Sequence, residues 1–377
     1  MAQVSRSERT TLSEFLGDTI VYRQLSPLDR RLPRYEDLAP QIGLSPDIRP
    51  RKCQPEYARI VACLLREAAK LHRRSDAIER VLLIGDTRGN DVTAFRQLCT
   101  ETGWFGVAFI GREDVTRPES WEIAEQGDQR ILLASRWRLL DELDRFCTAR
   151  GFAIDERTAV IIDIDKTAIG ARGRNDEAVD RARIDAVERT LKQLLGSAPS
   201  WDACRTLYDR LNRTALHHLT ADNQDAIAVL CLAVEGGLIS SEILADDAAR
   251  RFSSLAQLLR AKRRSSGRLP ASATEIYHRF CEGVRGGVMP EFEAFRENEF
   301  EATVRRMGLL PENASRERRL VEEITITAEV RDAAHRWREQ GALLLGLSDK
   351  PDTATRPTQT AGLRPLHRTE VRVVGDV

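Results

Sequence analysis

Short unbroken apolar runs, alternating with stretches of helical periodicity, constrain this chain more than any other feature. The runs are Val81-Leu82-Leu83-Ile84, Val107-Ala108-Phe109-Ile110, Ile131-Leu132-Leu133-Ala134, Ala159-Val160-Ile161-Ile162 and Leu343-Leu344-Leu345-Gly346-Leu347. Between them apolar residues recur at helical spacing: Tyr57, Ile60, Val61, Leu64, Leu65, Ala68 and Leu71 before the first run, residues 92–99 after it, and Leu139, Leu140, Leu143 and Phe146 after the third. A continuous apolar run reads as a strand buried on both faces, which is the habit of parallel sheets covered by helices. The alternation predicts an α/β fold with a doubly wound, Rossmann-like parallel sheet.

The pattern breaks between residues 172 and 323. Amphipathic helices replace it, with apolar positions such as Val187, Leu191, Leu194 and Leu195, then Ala226, Val229, Leu230, Leu232 and Ala233. Afterwards α/β signals return: Thr327 opens a helix carrying Val330, Ala333, Ala334 and Trp337, Gly341 ends it, and residues 343–347 form the next strand. Val371-Arg372-Val373-Val374 is the last strand expected. The organisation predicted is therefore an N-terminal extension over 1–49, an α/β core from 50–171 and 324–377, and an all-α insertion over 172–323. The extension holds Pro27, Pro33, Pro40 and Pro46 among charged residues and shows no clear period beyond a short helix near residues 12–16.

A length of 377 residues accommodates two domains, and 42% hydrophobic with 31% charged residues is an ordinary globular composition. Lys+Arg and Asp+Glu both total 58, so no global field attracts polyanions, and a small partner is expected rather than nucleic acid. No apolar stretch is long enough to cross a bilayer, and residues 1–10 are polar, so neither a membrane partner nor a secretory leader is expected and the location predicted is cytoplasmic. The cysteines (53, 63, 99, 147, 204, 231 and 281) are scattered without a CxxC pair and read as reduced. Only Lys52, Lys70, Lys166, Lys192, Lys262 and Lys350 are lysine in an otherwise arginine-based set of cations. A retained lysine suggests a place for a compact charge rather than a planar fork.

Open α/β sheets bind ligands at the carboxyl ends of their strands, so the polar residues directly after the apolar runs carry the functional expectation. Three places qualify: Asp163-Ile164-Asp165-Lys166-Thr167, Ser348-Asp349-Lys350, and Gly85-Asp86-Thr87-Arg88-Gly89-Asn90-Asp91. Two aspartates one residue apart at a strand end can point to the same side, one attacking while the other handles a proton. Asp86 and Asp91 add oxygen ligands suited to Mg²⁺, which takes a few carboxylates and completes its shell with water and phosphate. Ser348 offers a hydroxyl to a phosphoryl oxygen, and a nearby lysine would balance the negative charge.

An apolar strand followed by DxDxT resembles the first motif of the haloacid dehalogenase (HAD) superfamily. The resemblance implies Asp163 as nucleophile, Asp165 as general acid and base, Thr167 completing the motif, and Mg²⁺ held by Asp163, Asp165, Asp86 and Asp91. The segment 343–348 is similar to the family's second motif, ending in Ser348, and Gly85-Asp86 through Asp91 matches its GDxxxxD fourth motif. Arg51-Lys52-Cys53-Gln54-Pro55 resembles the third, which implies Lys52 as its lysine. Here the third and fourth motifs precede the first and the second lies near the end of the chain, so the resemblance implies a circular permutation. Residues 372–376 are similar to the strand and loop that lead into the lysine segment. Residues 172–323 sit where the family inserts a helical, substrate-selecting cap. Lys166 stands where the family commonly has glycine.

Bland readings apply elsewhere. Lys166 and Lys350 read as flanking charges, and the adjacent His217 and His218, about 100° apart on a helix, as structural. Lys262-Arg263-Arg264 reads as a solvated helix end. Arg172 and Arg174 are candidate contacts for a substrate anion. The expected activity is Mg²⁺-dependent hydrolysis of a small phosphomonoester through an aspartyl-phosphate. The alternatives are a phosphomutase or phosphotransferase of the same superfamily, and a non-catalytic binding or regulatory protein.

Overall fold

The computed structural model describes residues 8–72, 77–196, 200–220, 223–244, 251–260, 269–357 and 362–376. The basic run at 262–264 lies outside them. The chain divides into two compact units, one formed by Met1–Val179, Arg305–Thr355 and Arg364–Val377, the other by Asp180–Val304 with Arg356–Leu363.

In the first unit ten strands are described, β1 Arg9–Thr10, β2 Ile20–Val21, β3 Arg80–Gly85, β4 Phe105–Gly111, β5 Trp121–Gln126, β6 Gln129–Ala134, β7 Thr158–Asp163, β8 Ile326–Thr327, β9 Leu343–Leu347 and β10 Val371–Val374. Seven of them form one sheet in the order β2-β9-β7-β3-β4-β6-β5, with every pairing parallel except β5 with β6. All of the apolar runs lie in this sheet. The helices Pro55–Leu71 and Asn90–Thr102 bury Ile60, Leu64, Phe95 and Leu98 with Val81, Leu83, Ala108, Ile161 and Leu345 in one core. Leu82, Ile84, Val160 and Ile162, the alternating residues of the same strands, are also buried, so the sheet is covered on both faces as the unbroken runs require.

Strand order shows two things that periodicity did not. The N-terminal segment supplies β2, which extends the sheet beside β9, with Ile20 opposite Gly346 and Val21 opposite Leu347. Gly346 is needed there because a Cβ would lie 2.9 Å from Leu16 Cδ1. The final strand, expected to lead toward the lysine segment, instead sits in a separate three-stranded sheet, antiparallel to β1 and parallel to β8. Arg372 on that strand is buried, with Nε donating to Glu323 at 3.0 Å and Nη1 ion-paired with Glu312 at 2.5 Å.

The second unit is helical throughout its described residues. Helices Trp201–Leu211, Gln224–Glu235, Ala271–Arg285 and Glu293–Arg306, with the C-terminal part of Asp176–Leu195, enclose their own core of Leu191, Leu207, Tyr208, Leu230, Tyr277, Phe280 and Phe295. A buried polar network runs through it. Asp225 accepts from Arg296 Nε (2.7 Å), Arg296 Nη2 (2.8 Å) and the Phe292 amide (3.1 Å), and Arg296 Nη1 donates to Glu299 (2.6 Å). His217 and His218 contact the backbone carbonyls of Asn212 and Ala215, and neither belongs to a metal-ligating group among the described residues. No helix is long and apolar enough to cross a membrane.

Candidate functional site

Three neighbouring strands of the first unit, β3, β7 and β9, end at one level, because Ile84 lies opposite Ile162 and Asp163 opposite Leu347. Their next residues, Asp86, Ile164-Asp165 and Ser348, therefore come together at the carboxyl edge of the sheet, where such folds place ligands. Lys52 enters from the turn before the helix Pro55–Leu71. Its Nζ lies 2.7 Å from Asp163 Oδ1 and 2.6 Å from Asp91 Oδ1, and all three side chains are buried.

Asp86 and Asp91 do different work. Asp91 stands in the first turn of the helix Asn90–Thr102, and its Oδ2 accepts the amides of Asp86 (3.0 Å) and Thr87 (2.8 Å) and the Thr87 hydroxyl (2.8 Å). With Lys52 on its other oxygen, Asp91 is fully engaged in folding the loop. The preceding glycine follows from this closure, since a Cβ on Gly85 would sit 2.7 Å from the Asp91 carboxyl. Asp86 accepts from Arg172 Nε on Oδ2, the hydrogen bond its carboxyl makes among the described residues. Among the described residues no protein donor reaches Asp86 Oδ1 or Asp163 Oδ2.

Asp163 is followed by a tight loop. Ala168 N donates to Asp163 O (3.2 Å), Arg172 N to Lys166 O (2.9 Å), and Thr327 N to Ala168 O (3.0 Å). The Thr327 hydroxyl does not cap the helix Ala328–Glu339 but donates to Thr167 O at 2.5 Å. Thr167 is fully buried, and its own hydroxyl has no hydrogen-bond partner. Lys166 adopts φ 61°, the left-handed conformation that glycine takes without cost, so the turn survives the replacement. Asp165 lies outside the Asp86, Asp91, Asp163 group, with Oδ2 3.3 Å from Lys350 Nζ. Ser348 Oγ accepts the Lys350 amide at 3.1 Å. Arg172 reaches the cluster, whereas Arg174 does not. Its two Nη groups grip Glu329 at 2.8 and 2.7 Å with 4% of the side chain exposed, a pairing that leaves it no free face for a substrate anion.

Burial and mutual repulsion dominate the electrostatics of this group. Burial raises the Asp163 carboxyl well above the usual range, with Lys52 opposing the rise and Asp91 and Asp86 adding to it. Burial likewise pushes Asp86 up to about 7 despite Arg172, Asp91 contributing. Burial also works against a charged Asp91, but Lys52 and the Thr87 donors overcome it and hold that carboxyl below its ordinary value. Burial opposes the Lys52 ammonium in turn, yet Asp163 and Asp91 keep it firmly protonated. Three carboxyls thus share one buried place with the cations Lys52 and Arg172, and Lys166 adds its charge beside Asp86. Oxygens of Asp86, Asp91 and Asp163 lie within 4.8 Å of one another. An all-oxygen, carboxylate-rich set of this kind fits a hard divalent cation such as Mg²⁺. Asp163 and Asp86, whose second oxygens are open, are the residues that would hold it, with Asp91 orienting Lys52 behind them.

Three residues have places around the site that the sequence does not assign them: Lys350, read there as a flanking charge, Arg23 and Arg51. Lys350 is 5% exposed, and its place among only six lysines, two residues after Ser348, was the available signal. Arg23 and Arg51 fix the loop that carries it, and nothing in their local sequence marks them. Comparison of the chain with protein-family models, curated proteins and solved structures finds no match.

Proposed function

We propose that this protein is a Mg²⁺-dependent phosphomonoesterase of the haloacid dehalogenase type, with its motifs in circularly permuted order, acting on a small phosphorylated metabolite in the cytoplasm. The observation that carries the reading is the buried ammonium of Lys52 bridging Asp163 and Asp91, with Asp86 beside them, from three separated segments of chain. Ion pairs this deep are costly unless something is gained from the charges, and an exposed DxD turn would need none of these partners.

In this reaction the Asp163 carboxylate attacks phosphorus in line, the bond to the leaving oxygen breaks, and Asp165 gives that oxygen its proton. Water then attacks the aspartyl-phosphate while Asp165 takes a proton back, which frees Asp163 and phosphate. Lys52 and Arg172 face the charge that gathers on the phosphoryl oxygens, and Ser348 offers them a hydroxyl. Bound Mg²⁺ supplies a Lewis acid that neutralises this charge and orients the phosphoryl group. The helical unit, inserted after the first motif, is the part assigned to substrate choice. Seven free cysteines accord with a reducing compartment.

The test is turnover of p-nitrophenyl phosphate by purified protein with and without Mg²⁺. Turnover should require the metal, and Asp163→Asn should lower kcat by about a thousandfold or more, as loss of a covalent nucleophile does. Metal-independent turnover, or an Asp163→Asn enzyme as active as the parent, would refute the assignment.

A further inference from the structure

The residues 348–352 are tied to the N-terminal part of the chain as well as to their own neighbours in sequence. Ser348 N donates to Val21 O (3.0 Å), Arg23 N to Lys350 O (3.1 Å), Arg23 Nε to Asp349 O (2.7 Å), and Gln24 N to Asp352 Oδ1 (3.3 Å). Arg51 Nη2, one residue before the bridging lysine, donates to Asp349 Oδ2 at 2.8 Å. The outcome of this bracing is a single buried placement: the Lys350 side chain, 2% exposed, with its ammonium 3.3 Å from Asp165 Oδ2. A surface ion pair would contribute little and would not be built this way. A lysine taken out of water with its ammonium against the Asp165 carboxylate is held there by the fold at a desolvation cost.

We propose that Lys350 is a positioning residue for proton transfer, keeping the Asp165 carboxyl turned toward the leaving-group oxygen while Lys52 holds Asp163. This rests on the phosphatase reading. As the bond between phosphorus and the leaving oxygen breaks, that oxygen takes the Asp165 proton, and the resulting carboxylate faces the Lys350 ammonium, which keeps its own protons. In the second half water gives a proton to Asp165 as its oxygen bonds to phosphorus and the bond to Asp163 breaks. The two lysines thus divide the two aspartates between them, and the N-terminal segment, through Arg23 and Arg51, sets the second of these pairs.

A good leaving group departs without a proton and a poor one does not, so the difference between leaving groups reports on Asp165 as the acid of the first half. The experiment measures kcat and KM of the full chain with Mg²⁺ on p-nitrophenyl phosphate and on glycerol phosphate, for the parent, Lys350→Met, Asp165→Asn and the double variant, each checked by thermal melting. Lys350→Met should lose kcat/KM, which reads the step in which the leaving group departs, roughly tenfold more on glycerol phosphate than on p-nitrophenyl phosphate. In the Asp165→Asn background it should cost nothing further, since a residue acting through Asp165 has no effect once that group is gone. The double variant removes both charges of the pair, so it carries the test even where Lys350→Met alone fails to fold. Equal losses on the two substrates, or additive losses in the double variant, overturn the inference while leaving the phosphatase reading intact. Absence of turnover dependent on Asp163 overturns both.

Discussion

At the residue scale, one glycine explains why the GDxxxxD spacing works. The Asp91 carboxyl folds back over Gly85 to collect the amides of residues 86 and 87, and this closure leaves its outer oxygen facing Lys52. Gly85→Ala would drive the carboxyl outward and with it the ammonium. The expected outcome is a loss of about 1–3 kcal/mol in stability, from overpacking a buried backbone contact. A fall in kcat on p-nitrophenyl phosphate should accompany it, larger than that loss explains. Thermal melting and steady-state kinetics on the same preparation check both parts. The residue types at the site were legible in the chain because each follows an apolar run or opens a helix. Their division of labour was not: Asp91 orients while Asp86 stays open, and Arg172 reaches the cluster while Arg174 pairs with Glu329. Two arginines flanking a glycine in a loop have no periodicity from which direction could be read.

At the element scale, the loop from Asp163 to Arg174 sets how the aspartates 163 and 165 are presented at the sheet edge. Its far end is pinned where Glu113 N and Trp137 Nε1 both donate to Arg172 O, at 2.9 and 3.1 Å. The chain then turns at Gly173, at φ 79°, with the Glu113 carbonyl packed directly against its Cα. Gly173→Ala should cost about 1–3 kcal/mol through the left-handed backbone and that close approach, and should detach Arg172 from Asp86. A chemical denaturation midpoint and the Mg²⁺ affinity by calorimetry would register the two effects, and an unchanged midpoint would refute the first. Strand positions were readable from hydrophobic runs, but neighbours were not. Residues 20–21 and 371–374 are both short and apolar, yet the first joins the main sheet and the second a small separate one. Two-residue strands carry too little pattern to specify a partner, and pairing is set by which edge the rest of the fold leaves open.

At the scale of the whole molecule, the two units are stabilised differently. The sheet unit buries continuous aliphatic strands, whereas the helical unit encloses the fully desolvated Asp225, Arg296 and Glu299. Asp225→Ala strips two bonds from Arg296 and leaves that guanidinium buried with only Glu299 of the trio, so a destabilisation of about 3–5 kcal/mol is expected. Thermal unfolding followed by calorimetry would detect it, and a shift within error of zero would contradict the assigned role. If the units unfold independently, the transition of the sheet unit should stay in place.

The chain by itself determined the sheet unit's character, the helical interruption and the identity of the polar residues at strand ends, because these follow from local periodicity and from the buried or exposed choice each side chain faces. Tertiary structure alone decided that Lys52 lies between two aspartates, that the N-terminal segment closes the sheet's edge, and that Lys350 points at Asp165. Those are matters of direction between segments far apart in the chain, and a side chain's direction is set by the backbone that carries it and the packing around it.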